Sequence, residues 1–441
     1  MEVREATVIY RPSTSSVDGY RNTDVGPLPV DWQVGQLQNL ATIRTGIAKN
    51  SGANIDNPVV VNYLRVANVQ NGYLDLSEMS QLKVRAEDVR RYAVLPGDML
   101  MNEGGDLDKL GRGALWKGEV EPCVHQNHVF VVRCGSQLLP EFLSAWTGSA
   151  NARRFFMLAG RQTTNLASIN KTSLGQFPVP LPPTKDEQQA IVKALSDVDA
   201  LIESLSLLLA KRRQIKQGAM QELLTGKKRL PGFRDKWRRY VIGDVAAPSN
   251  EVNADGEPLP VLACSKHLGF VDSLGFFKNQ IFSRDTSSYK IVRRGQIAYP
   301  SNHIEEGSIG LQDLYDAALV SPIYVVFSVA LGTDSFFLHR LLKLAQYRHV
   351  FSSATSSSVD RRGSLRWPEF SKIGVLLPTY EEQCAVRELL QEMEAETVAI
   401  EAKLAKAKLV KQGMMQELLT GRIRLIQPSL GGQALTRTVL V

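Results

Sequence analysis

The chain has 441 residues, 44% hydrophobic and 22% charged, with 52 Lys and Arg against 45 Asp and Glu. That is enough for two or three domains with proper cores, and a net charge of +7 permits a polyanionic partner without requiring one. Four scattered cysteines (Cys123, Cys134, Cys264, Cys384) without C-x-x-C spacing, and no apolar run reaching about 18 residues, argue against a disulfide framework, a zinc finger and a membrane span; a reduced, cytoplasmic protein is expected.

In chain order, residues 1–27 are polar and punctuated by Pro, Gly and Ser. They read as an extended arm in which only Val8, Ile9 and Tyr10 pack. The positive charge is spread along the chain, not gathered in such an arm. Residues 28–180 form a first compact unit. It opens on Leu28-Pro29 and Trp32, with a helix or turn around Leu37 and Leu40. Val59 to Val66 is rich in β-branched residues and reads as a strand. Asn71-Gly72 turns the chain. Asp98 to Met101 and Val124 to Arg133 read as strands either side of a glycine-rich loop from Asn102 to Gly113. A helical segment from Glu141 to about Leu158 follows, then the polar tract Gly160 to Asn165.

Residues 181–230 carry the first long helical pattern, beginning at Lys185 and closing near Leu224. Ile191, Leu195, Val198, Ile202, Leu205 and Leu209 fall at 4-3-4-3-4 spacing, an a/d seam of coiled-coil type. Thr184 and Glu187 have capping-box spacing, and Gly226 sits where a left-handed residue ends a helix. Residues 231–376 repeat the first unit's order of elements in a divergent sequence: Arg294 to Tyr299 answers Pro96 to Met101, and Gly307 to Gly310 answers Gly111 to Ala114. Residues 377–426 then repeat the helical pattern, with Val386, Leu390, Met393, Thr397, Ile400 and Leu404 in the seam and Thr379/Glu382 as the box. Gly218 and Gly413 each cost about 1 kcal/mol inside a helix, so the last turns are expected to bend or break. Residues 427–441 read as a flexible tail.

The helical stretches are a duplication. Lys216-Gln217-Gly218-Ala219-Met220-Gln221-Glu222-Leu223-Leu224-Thr225-Gly226 returns as Lys411-Gln412-Gly413-Met414-Met415-Gln416-Glu417-Leu418-Leu419-Thr420-Gly421, with one change in eleven, and the offset stays at 195 from Thr184/Thr379 to Leu230/Leu425. Matching seams most simply bury each other. Antiparallel packing places the end of the first helix beside the start of the second, with the second compact unit between them. The expected fold class is therefore α+β: two domains of mixed β-sheet with helices, separated by two long helices in an antiparallel coiled coil, pseudo-twofold and nearly circular. Forty residues make a rod of about 60 Å, against about 34–36 Å per turn of B-DNA. From spacing alone, a ruler holding two DNA readers and a coiled-coil interaction scaffold without intrinsic DNA specificity fit equally well.

Leu181-Pro182-Pro183…Glu187-Gln188 and Lys216…Gln221-Glu222-Leu223-Leu224-Thr225-Gly226, both repeated after a variable unit, resemble the specificity (S) subunit of type I restriction–modification systems. Tyr63 to Gly72 and the loop Asn102 to Gly113 are similar to that family's target-recognition domains, and the resemblance covers about residues 20–426. One departure is Leu377-Pro378-Thr379-Tyr380, which lacks the second proline. The resemblance implies two target-recognition domains (28–180 and 231–376) reading a split site in double-stranded DNA, with the helices setting the spacer. It also implies docking of two methyltransferase (M) subunits and, through them, ATP-dependent restriction (R) subunits. S-adenosylmethionine, ATP and Mg are expected on those partners, and no cofactor or metal on this chain.

No G-x-x-x-x-G-K-[ST] loop and no [DN]-P-P-[YF] tetrapeptide is present, so catalysis by this chain alone is not expected. Cys123, His125 and His128 raise a metal question, but alternation along a strand separates them. Bases are read by Arg, Lys, Asn, Gln, Ser and Thr on groove-facing loops. The candidates are Lys49, Arg65, Asn68, Gln70, Asn102, Lys109, Arg112, Arg161, Gln162 and Thr163 in the first unit, and Ser265, Lys266, His267, Ser301, Asn302, His303, Arg361 and Arg362 in the second. Lys211-Arg212-Arg213 reads as solvated helix surface or partner contact rather than DNA contact.

Overall fold

A computed structural model describes residues 19–48, 55–105, 110–162, 167–277, 279–356 and 364–426. The chain folds as two compact units, one from the residues up to Ser204 with those from Leu404 on, the other Leu205–Lys403. These units divide the chain inside each long helix, whereas the sequence pattern divides it at the helix ends.

In the first unit a four-stranded antiparallel sheet runs in the order Ala41–Thr45, Val129–Cys134, Met99–Asn102, Gly113–Leu115. A second sheet runs Cys123–His125, Val59–Leu64, Ser80–Val84, its first pair parallel. The second unit builds the same four-stranded order from Ala246–Ser249, Tyr324–Val329, Ile297–Pro300 and Gly310–Leu311. In each unit a strand entering the domain pairs with the strand leading into a long helix: Gln33–Gln36 with Pro178–Leu181, and Arg238–Val241 with Gly374–Leu377.

Both long helices are unbroken over 39 residues, Lys185–Leu223 and Tyr380–Leu418. Neither Gly218 nor Gly413 breaks its helix, although each carries a propensity cost there. Within each unit the two helices run antiparallel. In the first unit Asp199 pairs with Lys411 (2.5 Å) and Glu187 with Arg424 (2.7 Å). In the second, Arg212 pairs with Glu396 (3.0 Å) and Arg229 with Glu382 (2.5 Å). The seam tightens toward the domains. Ile191 and Leu195 are buried with Leu418, Leu419 and Trp32 in one core; Val386 and Leu390 are buried with Leu223 and Leu224 in the other. Leu209 and Ile400 are also buried, whereas Val198, Ile202, Leu205, Met393 and Leu404 are half-buried. The helices are thus held mainly by apolar surface shared with the domains, each buried leucine contributing about 1.5–3 kcal/mol.

Several local expectations change. Val124 to Arg133 is two strands, because the His125 ring bonds the Val129 carbonyl oxygen (2.6 Å) and Gln126 N donates to Leu64 O (2.9 Å), turning the chain from one sheet into the other. The helical segment from Glu141 breaks at Gly148-Ser149 into Pro140–Thr147 and Ala150–Ala159, with Ser149 Oγ accepting from Ala152 N (3.1 Å). The arm's end is not extended: Tyr20–Thr23 and Gly26–Pro29 form a hairpin that buries Val25 and Leu28. Val8, Ile9, Tyr10 and the tail after Ile426 lie outside the described residues. Only half of the first capping box forms. Thr184 Oγ1 accepts from Glu187 N (3.2 Å), but the carboxylates of Glu187 and Glu382 go to Arg424 and Arg229. An arginine from the other helix's end is a stronger partner than a backbone N–H.

Candidate nucleic-acid interface

The frame of the site is a set of bonds made twice, 195 residues apart. Glu187 (2% exposed) accepts from Nε and Nη2 of Arg424 at 2.7 Å, and Glu382 (1% exposed) from Nε and Nη2 of Arg229 at 2.5 Å. Asp199–Lys411 recurs as Glu394–Lys216 (3.6 Å). Gln188 accepts from Leu139 N (2.9 Å) and donates to Gln137 O (2.9 Å); Gln383 accepts from Asp334 N (2.8 Å) and donates to Gly332 O (3.5 Å). Within each unit one glutamine therefore ties the start of a long helix to the β-sheet domain, and the glutamate beside it ties that start to the other helix's end. Gly421 (φ +66°) ends its helix against Pro29 and Trp32, and Tyr20 Oη donates to Gly421 O and Arg422 O at 3.3 Å. The last described turn of the chain thus packs on its first described strands.

On that frame the first unit gathers Arg65, Asn68, Gln70, Asn102 and Arg112. Two of these side chains are buried. Asn68 is 3% exposed and spends its amide on Arg65 N, Asp75 O and Glu78 O (2.9, 2.9 and 3.0 Å). Asn102 is 8% exposed and donates to Val66 O and Val69 O (3.2 and 2.9 Å). Asn102 thus braces the Arg65–Gly72 loop from beneath, and Asn68, within that loop, ties it to the segment that follows. Asn102 also lies at the end of its strand instead of opening a loop. What the loop presents is Arg65 and Gln70, both half-buried, and Tyr73, 62% exposed, an aromatic face that sequence reasoning passed over. The Arg65 guanidinium also donates to Glu78 O (3.4 Å), Gln70 Nε2 donates to Ala67 O (2.7 Å), and Arg112 O accepts from Asn102 N (3.2 Å). The Arg161–Gln162 backbone pairs with Ala167–Ser168, which pairs with Gly104–Gly105. Lys49, Lys109 and Thr163 lie outside the described residues.

In the second unit Ser265 closes a turn, its Oγ accepting from His267 N and Leu268 N (3.3 Å each), which leaves Lys266 and His267 exposed at the tip. Lys343, missed from the sequence, holds that tip by donating to Lys266 O (3.1 Å). Burial, with Arg340 and Arg348 nearby, lowers its pKa. Ser301 and Asn302 are half-buried on a separate loop tied by Leu365 N to Ser301 O (2.8 Å), and His303 is exposed beside Glu306 (3.4 Å). Arg361 and Arg362 lie outside the described residues. Arg212 and Arg213 face the second helix, bonding Glu396 and Glu401 (3.0 and 2.7 Å).

Burial pushes the Cys123 thiol up to about 12 and the His125 imidazole down to about 4, while His128 is exposed on Glu103; the three do not form one ligand cluster. Among the described residues, His303, Glu305 and Glu306 bring three ligand atoms within 4.8 Å of one another, but His303 and Glu306 already pair. No helix of the described residues is long and apolar enough to cross a membrane. The missed frame residues had a legible signal: Arg229 and Arg424 sit at the same offset as Glu187 and Glu382.

Residues 29–211 match the family model described as the type I restriction modification DNA specificity domain. A putative type I restriction enzyme MjaX specificity subunit from Methanocaldococcus jannaschii is 23% identical over 432 residues, 92% of this chain and 97% of that protein. The type I restriction enzyme EcoKI specificity subunit of Escherichia coli is 23% identical over 194 residues, 42% and 41% of the two chains. Among solved structures, the type I restriction-modification S subunit from M. genitalium superposes with a TM-score of 0.51 at 13% identity, covering 88% and 96% of the two chains. A chain from a study of type I system assembly superposes at 0.54 and 16% identity, covering 90% and 99%.

Proposed function

Because the chain belongs among the specificity subunits of type I restriction–modification systems, we propose that residues 28–180 and 231–376 are its two target-recognition domains, each reading one half of a split site in double-stranded DNA. The helices 181–230 and 377–426 set the spacer and dock two methyltransferase subunits, through which restriction subunits join. The chain itself is non-catalytic; S-adenosylmethionine, ATP and Mg belong to those partners. Arg65 and Gln70 of the braced loop, with Lys266 and His267 of the second unit's turn, are the groove-facing groups.

The observation that carries this reading is the twice-made frame. Glu187–Arg424 and Glu382–Arg229 occupy repeat-equivalent positions, and Gln188 and Gln383 fasten two unlike domains in the same way. A frame repeated beneath divergent domains fits a holder whose readers are exchangeable. The test is to replace residues 231–376 by the corresponding unit of another family member and map methylated adenines in cells carrying the system. One half-site changes and the other stays; retention of the original bipartite site would refute the modular reading. Residues inserted before Gly226 lengthen the gap between the half-sites.

A further inference from the structure

The first unit contains a cavity of about 600 Å³ whose walls are the Asn71–Gly72 tip of the braced loop, the helix Pro140–Thr147 and the two long helices. Its place belongs to the repeat. Ser144, Ser196 and Asp199 line it, and their equivalents 195 residues on, His339, Gln391 and Glu394, line a cavity of about 770 Å³ in the second unit. The charges differ. Across the second cavity Arg340 is spent on Glu394 and Arg387 on Asp334. In the first, Lys117, Arg153 and Lys408 line the walls, are exposed, and have no carboxylate partner among the described residues. Of the two lining carboxylates, Asp199 is neutralised by Lys411 (2.5 Å), and only Glu141 is free. Three free cations against one free carboxylate leave an excess of two positive charges. They converge from three separate elements beside a loop already built to meet bases.

We propose that this cavity is a phosphate-backbone site in which Lys117, Arg153 and Lys408 hold the DNA strand leaving the first half-site. The inference rests on the DNA-reading function proposed above and adds contacts that carry no sequence information. Base-edge donors fix which sequence is bound, whereas free ammonium and guanidinium groups release counterions from any duplex. Lys408 lies on the second long helix, so the spacer is then gripped by the helix pair as well as spanned by it.

The full chain, assembled with its methyltransferase partner, is titrated with a 40-base-pair duplex between 50 and 200 mM KCl, as the parent and as K117Q/R153Q/K408Q. Each lost phosphate contact lowers the slope of log K against log salt by about 0.9. Three lower it by about 2.7, so over that fourfold salt range the parent loses about 40-fold more affinity than the variant. The methylated sequence stays the same. An unchanged slope in a variant that still assembles overturns the proposal, as does an unchanged slope with loss of the methyltransferase partner, which assigns the cavity to protein docking. A parent complex without salt-dependent duplex binding overturns the DNA-reading function and this site together. An unchanged slope in the variant alone removes only this site.

Discussion

Glu382→Gln and Glu187→Gln are the same substitution at equivalent positions, yet the surroundings separate them. Glu382 is 1% exposed and receives two nitrogens of Arg229 at 2.5 Å, while the Arg229 side chain is 25% exposed. Breaking a fully buried pair costs about 3–5 kcal/mol. Here water reaches the guanidinium and the new carboxamide keeps one neutral hydrogen bond, which brings the loss to about 2 kcal/mol. For a unit of this size each kcal/mol moves the melting temperature by about 2–4 °C, so the second unit falls by about 4–8 °C. Arg424 has a second partner, Asp31, at 2.7 and 3.0 Å. In Glu187→Gln that carboxylate keeps the guanidinium compensated, and the first unit loses about half as much, ~1 kcal/mol. Thermal scans of the full chain give the two shifts. Hydrogen exchange, read at residues 382–387 and 187–192, assigns each to its own helix start. Equal shifts, or a larger one for Glu187→Gln, would refute the reasoning.

Two further outcomes follow from glycine geometry and from buried histidine. Gly413→Ala adds a Cβ with nothing within 4 Å inside a helix and stabilises by about 0.5–1 kcal/mol, whereas Gly421→Ala, at φ +66° with Pro29 Cγ 2.6 Å from the new atom, destabilises; melting shifts of the same sign contradict this. Burial pushes the His125 pKa down to about 4, so below pH 6.5 the unfolded chain takes a proton that the folded chain refuses. The stability contribution is complete above pH 6.5 and is lost as pH falls toward 4, about 3 kcal/mol in all; His125→Asn, compared with the parent from pH 7 to 4, flattens that part of the melting curve, and an identical pH dependence would count against it.

The repeat, the seam and the order of elements are local or periodic, and the chain states them openly. A 195-residue offset marks a duplication whatever its packing, and 4-3-4 spacing marks a buried stripe. Asn68 and Asn102 show where that reading stops. Polar residues in a loop and at a strand end look like base readers, yet in space they stand beneath another loop's carbonyl groups, and burial turns them into braces. Glu187 and Glu382 show the same limit. Three residues after a threonine, a glutamate reads as a helix cap until an arginine from 237 or 153 positions away competes for it. Lys343 carried no signal, because its role depends on the turn at Lys266 that folding brings to it. Sequence alone determined that this protein is two unlike domains on a doubled helix. The tertiary structure decided which polar groups face inward, because hydrogen-bond partners far apart in the chain are assigned only when the backbone brings them together.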